Sequence, residues 1–330
     1  MNREIEHLGN IGRIGLGFWQ AGGRLWRSTV ESVTDIVKEA LTHGINFFDT
    51  AEIYGWGRSE RLLGEALRRA DPRGEAVVAS KLAPFRVTYW QMRKGLEATN
   101  RRLGRRVDLV QYHWPPPAWV PLCRVVRGLE RLVQDGLAGA YGVSNFPARL
   151  LERALECAHR VEPVSDQVQY SLAYRSPENR LLPLARERRI AVIAWSPLAK
   201  GALAGAQRPK DPAQKGDPVF RKAAGDRLLQ ETLDNVARRT GLTRAGVALA
   251  WLVSKGALPI PGTRRRERVR EYAGAIHGSP SGPSKSWTGR RRGTSQGGAA
   301  PTGRSSGCAW SPAGPSTLCS ALWEASRLIG

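Results

Sequence analysis

The chain has little cysteine and little histidine. Its four cysteines, Cys123, Cys157, Cys308 and Cys319, form no C-x-x-C pair, and only five histidines accompany them across 330 residues. Neither a disulfide framework nor a zinc site is expected from that spacing, so the thiols read as buried or incidental and no metal is assigned. No run of eighteen or more apolar residues occurs, which argues against a membrane-spanning helix. The opening residues Met1-Asn2-Arg3-Glu4-Ile5-Glu6 carry two acids and no apolar core, so no secretory signal is expected and a cytoplasmic location is the default. A G-x-G-x-x-G after a strand is also missing, a motif that a barrel does not need in order to bind a nicotinamide cofactor.

Acids are scarce: 29 Asp and Glu stand against 51 Lys and Arg, for a formal charge of +22. An excess of that size can signal a polyanionic partner. Here it is arginine scattered along helix-like segments, as in Arg101-Arg102 and Arg105-Arg106, with no aromatic platform between. Solvated helix faces explain the pattern more simply than nucleic acid does.

What the chain does contain is alternation. Short strand-like runs fall near 14–16, 45–48, 76–80, 107–111, 140–143, 164–168, 190–194 and 258–260. Between them, helical periodicity covers 33–42, 60–69, 90–103, 121–134, 147–159, 177–188, 227–240, 243–254 and 265–275. Pro147 and Pro177 suit a first helical position, and Gly104, Gly136 and Gly241 stand where helices should end. Eight strands alternating with helices predict an α/β fold of the (β/α)8 TIM-barrel type over residues 1–275. Residues 199–225 exceed an ordinary connection and read as a long functional loop on the catalytic rim.

Asp49, Tyr54, Lys81 and His113 each lie at or just past the end of a strand-like run. In a parallel barrel those ends converge on one rim, where such folds keep their chemistry. A tyrosine beside a lysine ammonium, with a histidine alongside, is equipment for protonating a carbonyl oxygen.

The motifs Gly44-Ile45-Asn46-Phe47-Phe48-Asp49-Thr50-Ala51-Glu52-Ile53-Tyr54-Gly55, Ser80-Lys81, Gln111-Tyr112-His113-Trp114, Gly142-Val143-Ser144-Asn145-Phe146 and Trp195-Ser196-Pro197-Leu198 resemble, in order and spacing, the aldo-keto reductases. The resemblance runs from about Gly9 to about Ala275 and points to the bacterial members related to potassium-channel β subunits. It implies an NADP-dependent oxidoreductase that reduces aldehydes or ketones to alcohols, with NADPH as cofactor and a small carbonyl compound as substrate. Tyr54 would be the general acid, Lys81 would lower its pKa, Asp49 would hold the lysine, and His113 would orient the carbonyl. Gly17, Phe18, Asp49, Ser144, Asn145, Gln167, Trp195, Ser196, Pro197 and Leu198 are implied at the cofactor, with Ser144, Asn145 and Gln167 on the carboxamide and Trp195 on the ring. Gly262, Thr263, Arg264 and Arg268 are implied at the adenosine 2′-phosphate, where glycine, a helix start and arginine forks suit a phosphate. Tyr272 departs from the asparagine common at its position. Trp19, Trp56 and Trp114 would line the substrate mouth.

Taken singly, these residues have plainer readings: a capping Asp, a salt-bridged Lys, an N-cap Ser144-Asn145 ahead of Pro147, core tryptophans. A regulatory, redox-sensing subunit resembling the channel β subunits fits the same residues, as does a member impaired by a disrupted C-terminus. That last reading comes from residues 276–330, which are rich in Gly, Ser, Pro, Arg and Ala, contain one acid, Glu324, and show no apolar period. They read as a disordered tail, either an out-of-frame translation or an evolved extension.

Overall fold

The computed structural model describes residues 3–5, 8–23 and 28–277. The expected disordered tail, but for its first two residues, lies outside them.

Two short strands, β1 (Arg3–Ile5) and β2 (Gly9–Ile11), pair antiparallel. Eight parallel strands follow: β3 (Gly15–Gly17), β4 (Phe47–Asp49), β5 (Val77–Leu82), β6 (Val107–Tyr112), β7 (Ala138–Ser144), β8 (Ser165–Gln169), β9 (Ala191–Trp195) and β10 (Leu258–Pro259). They neighbour one another in strict sequence order from β3 to β10. A bond from Gly17 N to Pro261 O, 3.1 Å, brings the last strand back to the first and makes the sheet a barrel. The helices are α1 (Trp19–Gly22), α2 (Val30–Thr42), α3 (Arg58–Ala70), α4 (Tyr89–Leu103), α5 (Leu122–Gln134), α6 (Ala148–Cys157), α7 (Leu181–Glu187), α8 (Pro212–Lys215), α9 (Pro218–Gly225), α10 (Arg227–Thr240), α11 (Arg244–Ser254) and α12 (Arg266–His277).

Local chemistry sets several boundaries. Thr29 and Thr88 each close a capping box at the starts of α2 and α4, satisfying amides that the first turn cannot pair. Gly104 ends α4 at φ 69°, a left-handed conformation that costs glycine little. Pro147 is the N-cap residue of α6 and not its first helical residue. Pro177 lies in a separate 3-10 turn, Ser176–Glu178, so the single helix expected over 177–188 is broken ahead of α7.

Two further expectations are corrected, and one element was not anticipated. The segment 199–225 is not a plain loop: it folds into a 3-10 turn over Ala199–Ala204 followed by α8 and α9, whose N-caps Asp211 and Asp217 satisfy the first-turn amides. The β1–β2 hairpin had no periodicity long enough to betray it. Cys123 and Cys157 form a disulfide, because α5 and α6 pack side by side and bring residues 34 apart to a Cα separation of 4.9 Å. Sequence spacing reports only local pairs, so it missed this one.

Strand alternation divides the core in two. Outward residues such as Phe48, Val78, Val110 and Tyr141 pack against the helices. Inward residues Phe47, Ala79, Leu109, Ala140, Ile193 and Leu258 fill the lower barrel with Leu8 and Ile11 at its base. One pleat further along, the inward positions turn polar: Asp49, Lys81, Gln111 and Gln167. Burying that layer is costly unless its members satisfy one another.

Candidate active site

Asp49 and Lys81 form the centre. Lys81 Nζ donates to Asp49 Oδ2 at 2.5 Å, to Thr50 O at 2.8 Å and to Tyr54 Oη at 3.4 Å, so its three protons all have acceptors. Both charged side chains are buried. Burial alone would lower the Lys81 pKa, but Asp49 and Tyr54 outweigh it and hold the ammonium above its ordinary value. Asp49 Oδ1 in turn accepts from Gln167 Nε2 at 2.7 Å and Gln111 Nε2 at 3.3 Å.

Tyr54 sits in the turn after β4. That turn is fastened by Glu52, which accepts from Ala83 N at 2.6 Å and from Arg86 in a two-pronged ion pair. Gly55 and Gly57 are left-handed, and a Cβ on Gly55 would lie 2.1 Å from Gly22 O, so the turn and α1 can approach only through glycine. Tyr54 is half-buried with its hydroxyl enclosed. Burial raises its pKa; Lys81 pulls the other way without cancelling it, and Asp49 adds to the rise. The expectation that Lys81 leaves Tyr54 more acidic than a free phenol is therefore corrected: the lysine opposes a larger desolvation effect.

His113 meets the Tyr54 ring edge-on, with centroids 5.6 Å apart, and stacks on Trp114. Burial and then the Lys81 charge push its pKa down to about 3. Its Nδ1 is buried with no partner. Asn145 Nδ2 donates to His113 O and Ser144 Oγ, each at 3.0 Å, and Asn145 Oδ1 accepts from Trp195 Nε1 at 2.9 Å. Ser144 Oγ donates to Gln167 O. Neither Ser144 nor Asn145 caps α6, so the plainer reading of that dipeptide fails.

These groups open into a cleft of about 1180 Å³. Gly17, Trp19, Asp49, Tyr54, His113, Trp114, Ser144, Asn145, Gln167 and Trp195 line one part of it, and Ser196, Pro197 and Leu198 continue the wall. Gly262, Thr263, Arg264 and Arg268 line it too, together with Lys200, Lys210 and Tyr272. Gly262 packs so closely that a Cβ there would lie 2.7 Å from Gln20 Oε1 and 3.2 Å from Gly17 O. Arg268 is paired with Glu271 at 2.7 Å, and the buried Tyr272 hydroxyl donates to Gly262 O at 3.3 Å.

Two expected residues lie elsewhere. Phe18 turns into the core against Phe48, at 6.0 Å between centroids, because it points to the helix side of the barrel. Trp56 does not line the cleft; it stands 80% exposed on the left-handed turn between Gly55 and Gly57. Lys81 is likewise absent from the lining and lies buried behind Asp49 and Tyr54. Sequence reasoning overlooked Gln111, Gln20 and Lys200. A polar Gln111 ending the apolar run Val107-Asp108-Leu109-Val110 was the available signal for the first.

A polar layer at the strand ends of a parallel barrel, beside a long cleft with arginines among its lining, defines a barrel oxidoreductase of the aldo-keto type. The chain belongs to the aldo/keto reductase family, whose model matches residues 13–280. It is 39% identical over 278 residues to an uncharacterized oxidoreductase of Mycobacterium tuberculosis, covering 81% of this chain and 84% of that protein. It is 32% identical to a putative voltage-gated potassium channel subunit beta of Schizosaccharomyces pombe, over 81% of this chain and 85% of the other. Among solved structures, an aldo/keto reductase from Klebsiella pneumoniae in complex with NADP and acetate aligns with a TM-score of 0.67 and 29% identity, covering 83% of this chain and 89% of that one. No helix among the described residues is long and apolar enough to cross a membrane.

Proposed function

We propose that the protein reduces aldehydes or ketones to alcohols with NADPH, using Tyr54 as the proton donor. The observation that carries the reading is Tyr54 Oη within 3.4 Å of the Lys81 ammonium, beside His113 and at the wall of the cleft. When bound, NADPH supplies the hydride that attacks the carbonyl carbon. The phenol gives its proton to the carbonyl oxygen, so C=O becomes CH–OH and the negative charge left on Tyr54 faces Lys81. With its raised pKa, Tyr54 keeps its proton through neutral pH, and Lys81 limits the cost of releasing it.

His113 is neutral at working pH. A proton on its buried, unpartnered Nδ1 would waste a donor, so Nε2 carries it and can donate to a substrate oxygen as charge develops there.

The residues fit a phosphorylated dinucleotide. The crowded Gly262 backbone admits close approach, Arg264 and Arg268 offer cationic forks, and Ser196 and Gln20 present buried oxygens without partners. Trp19 and Trp114 give the mouth an aromatic surface suited to an apolar or aromatic aldehyde. The test is Tyr54→Phe: it should abolish aldehyde reduction while NADPH affinity, followed by fluorescence titration, stays at the wild-type value. Wild-type turnover in Tyr54→Phe would move the acid to another group.

A further inference from the structure

Gln111 is fully buried on β6 and does not line the cleft. It cannot be there for substrate or cofactor. Its strand neighbours in register are Lys81 on β5 and Gly142 on β7. Gly142 has no room for a side chain, since a Cβ would lie 2.2 Å from Ser165 Oγ, and this leaves the Gln111 amide space within its layer. Nε2 donates to Asp49 Oδ1 at 3.3 Å, and Oε1 accepts from Gln167 Nε2 at 3.4 Å. Asp49 thus receives an ammonium on Oδ2 and two amides on Oδ1.

A carboxylate buried in this way remains charged and fixed in orientation only while its oxygens have donors. An apolar side chain of similar size would pack against Leu109 and Ala140 at less desolvation cost, so core packing alone does not explain a glutamine.

We infer that Gln111 is a positioning residue for proton donation: with Gln167 it holds the Asp49 carboxylate in orientation, and Asp49 in turn keeps the Lys81 ammonium against Tyr54. The inference rests on the assignment of Tyr54 as the acid. Tyr54 and His113 are the other titratable groups facing the pair. From β7, β8 and β9 it is faced by Ser144, Gln167 and Trp195, while Glu52 and Glu60 are turned onto Arg86 and Arg102.

Two variants test it, with Tyr54→Phe assayed in parallel. Gln111→Met keeps the volume and removes the donor. Its kcat should fall by roughly tenfold, the loss that one hydrogen bond to a charged group predicts, while NADPH affinity is unchanged. The acid side of its pH–rate profile should move to higher pH, because the ion pair with Lys81 then lacks one of the donors that stabilise its negative charge. In Gln111→Glu the introduced carboxyl can donate to Asp49 only while protonated, so the variant should lose activity with rising pH along a limb that the wild type lacks. A wild-type profile in either variant would overturn the inference, as would a fall in kcat matched by equal losses of Tm and cofactor affinity with the profile unshifted. Should Gln111→Met not fold, the Gln111→Glu profile decides alone. If Tyr54→Phe remains active, the acid assignment fails; if it is inactive while both Gln111 variants behave as wild type, only the role of Gln111 fails.

Discussion

Asn145 holds the Trp195 indole by a 2.9 Å hydrogen bond while donating to His113 O from its other amide atom. It does so at φ 63°, a conformation asparagine tolerates better than most residues. One side chain thus links the loop after β6 to the end of β9 across the intervening strands. Asn145→Ala should lose these bonds and strain the backbone, lowering stability by about 2–4 kcal/mol. Asn145→Gly removes the strain but not the lost bonds, so thermal unfolding of the two should separate the contributions, with alanine the less stable. Equal Tm values would show that the left-handed conformation adds nothing.

The arginines beside Gly262 make a quantitative claim about the cofactor. One or two charge-assisted bonds to a 2′-phosphate, each about 1.5–3 kcal/mol, should give NADPH at least a ~10-fold tighter Kd than NADH. Arg264→Ala or Arg268→Ala should narrow the gap, the latter less if Glu271 continues to hold the Arg268 guanidinium in the complex. Titration of both cofactors against all three proteins checks this, and equal affinities in the wild type would remove the phosphate assignment.

His113 should leave a signature in stability. Its folded pKa, about 3, lies below the ordinary 6.5, so the unfolded chain binds the extra proton first as pH falls. The native state therefore loses stability through this group from about pH 6.5 downward and is unaffected by it above. Relative to wild type, His113→Gln should have a Tm that declines less between pH 7 and pH 4. Parallel curves would mean that His113 is not buried neutral.

Asp166 is a buried acid on β8 whose Oδ2 has no partner, and burial raises its pKa well above the usual carboxylate range. Here the unfolded chain releases its proton first, so stability falls as pH rises above about 4 and continues to fall until the folded-state pKa is reached. Asp166→Asn cannot ionise and should raise Tm at pH 7, with the gain shrinking as the pH approaches 4. A variant less stable than wild type at pH 7 would mean that the carboxylate has a partner in solution.

The Cys123–Cys157 bond joins α5 to α6 and closes a loop containing β7. Restricting the unfolded chain over such a loop contributes about 2–4 kcal/mol. Cys157→Ser, or reduction of the wild type, should lower Tm accordingly while NADPH affinity persists, since neither cysteine borders the cleft. Intact mass measured before and after reduction with alkylation shows whether the pair is oxidised, and a doubly alkylated protein without prior reduction would contradict the bond.

The chain alone determined the order of the eight barrel strands and of the longer helices between them, because period-two and period-3.6 burial is written residue by residue. It also placed Asp49, Tyr54, Lys81 and His113 at strand ends, since parallel strands put equivalent positions on one rim. What it could not determine depends on facing rather than order. Whether Phe18 looks into the barrel or out to the helices is decided by one step of the pleat. Whether Trp56 meets the cleft is decided by three consecutive left-handed residues. The Cys123–Cys157 pairing follows from the packing of α5 on α6, and the direction of the Tyr54 pKa from how fully the phenol is enclosed. Gln111 could be read only as a polar residue in an apolar strand until the closed barrel carried it across to Asp49. Those outcomes rest on distances between residues far apart in the chain, which tertiary structure alone sets.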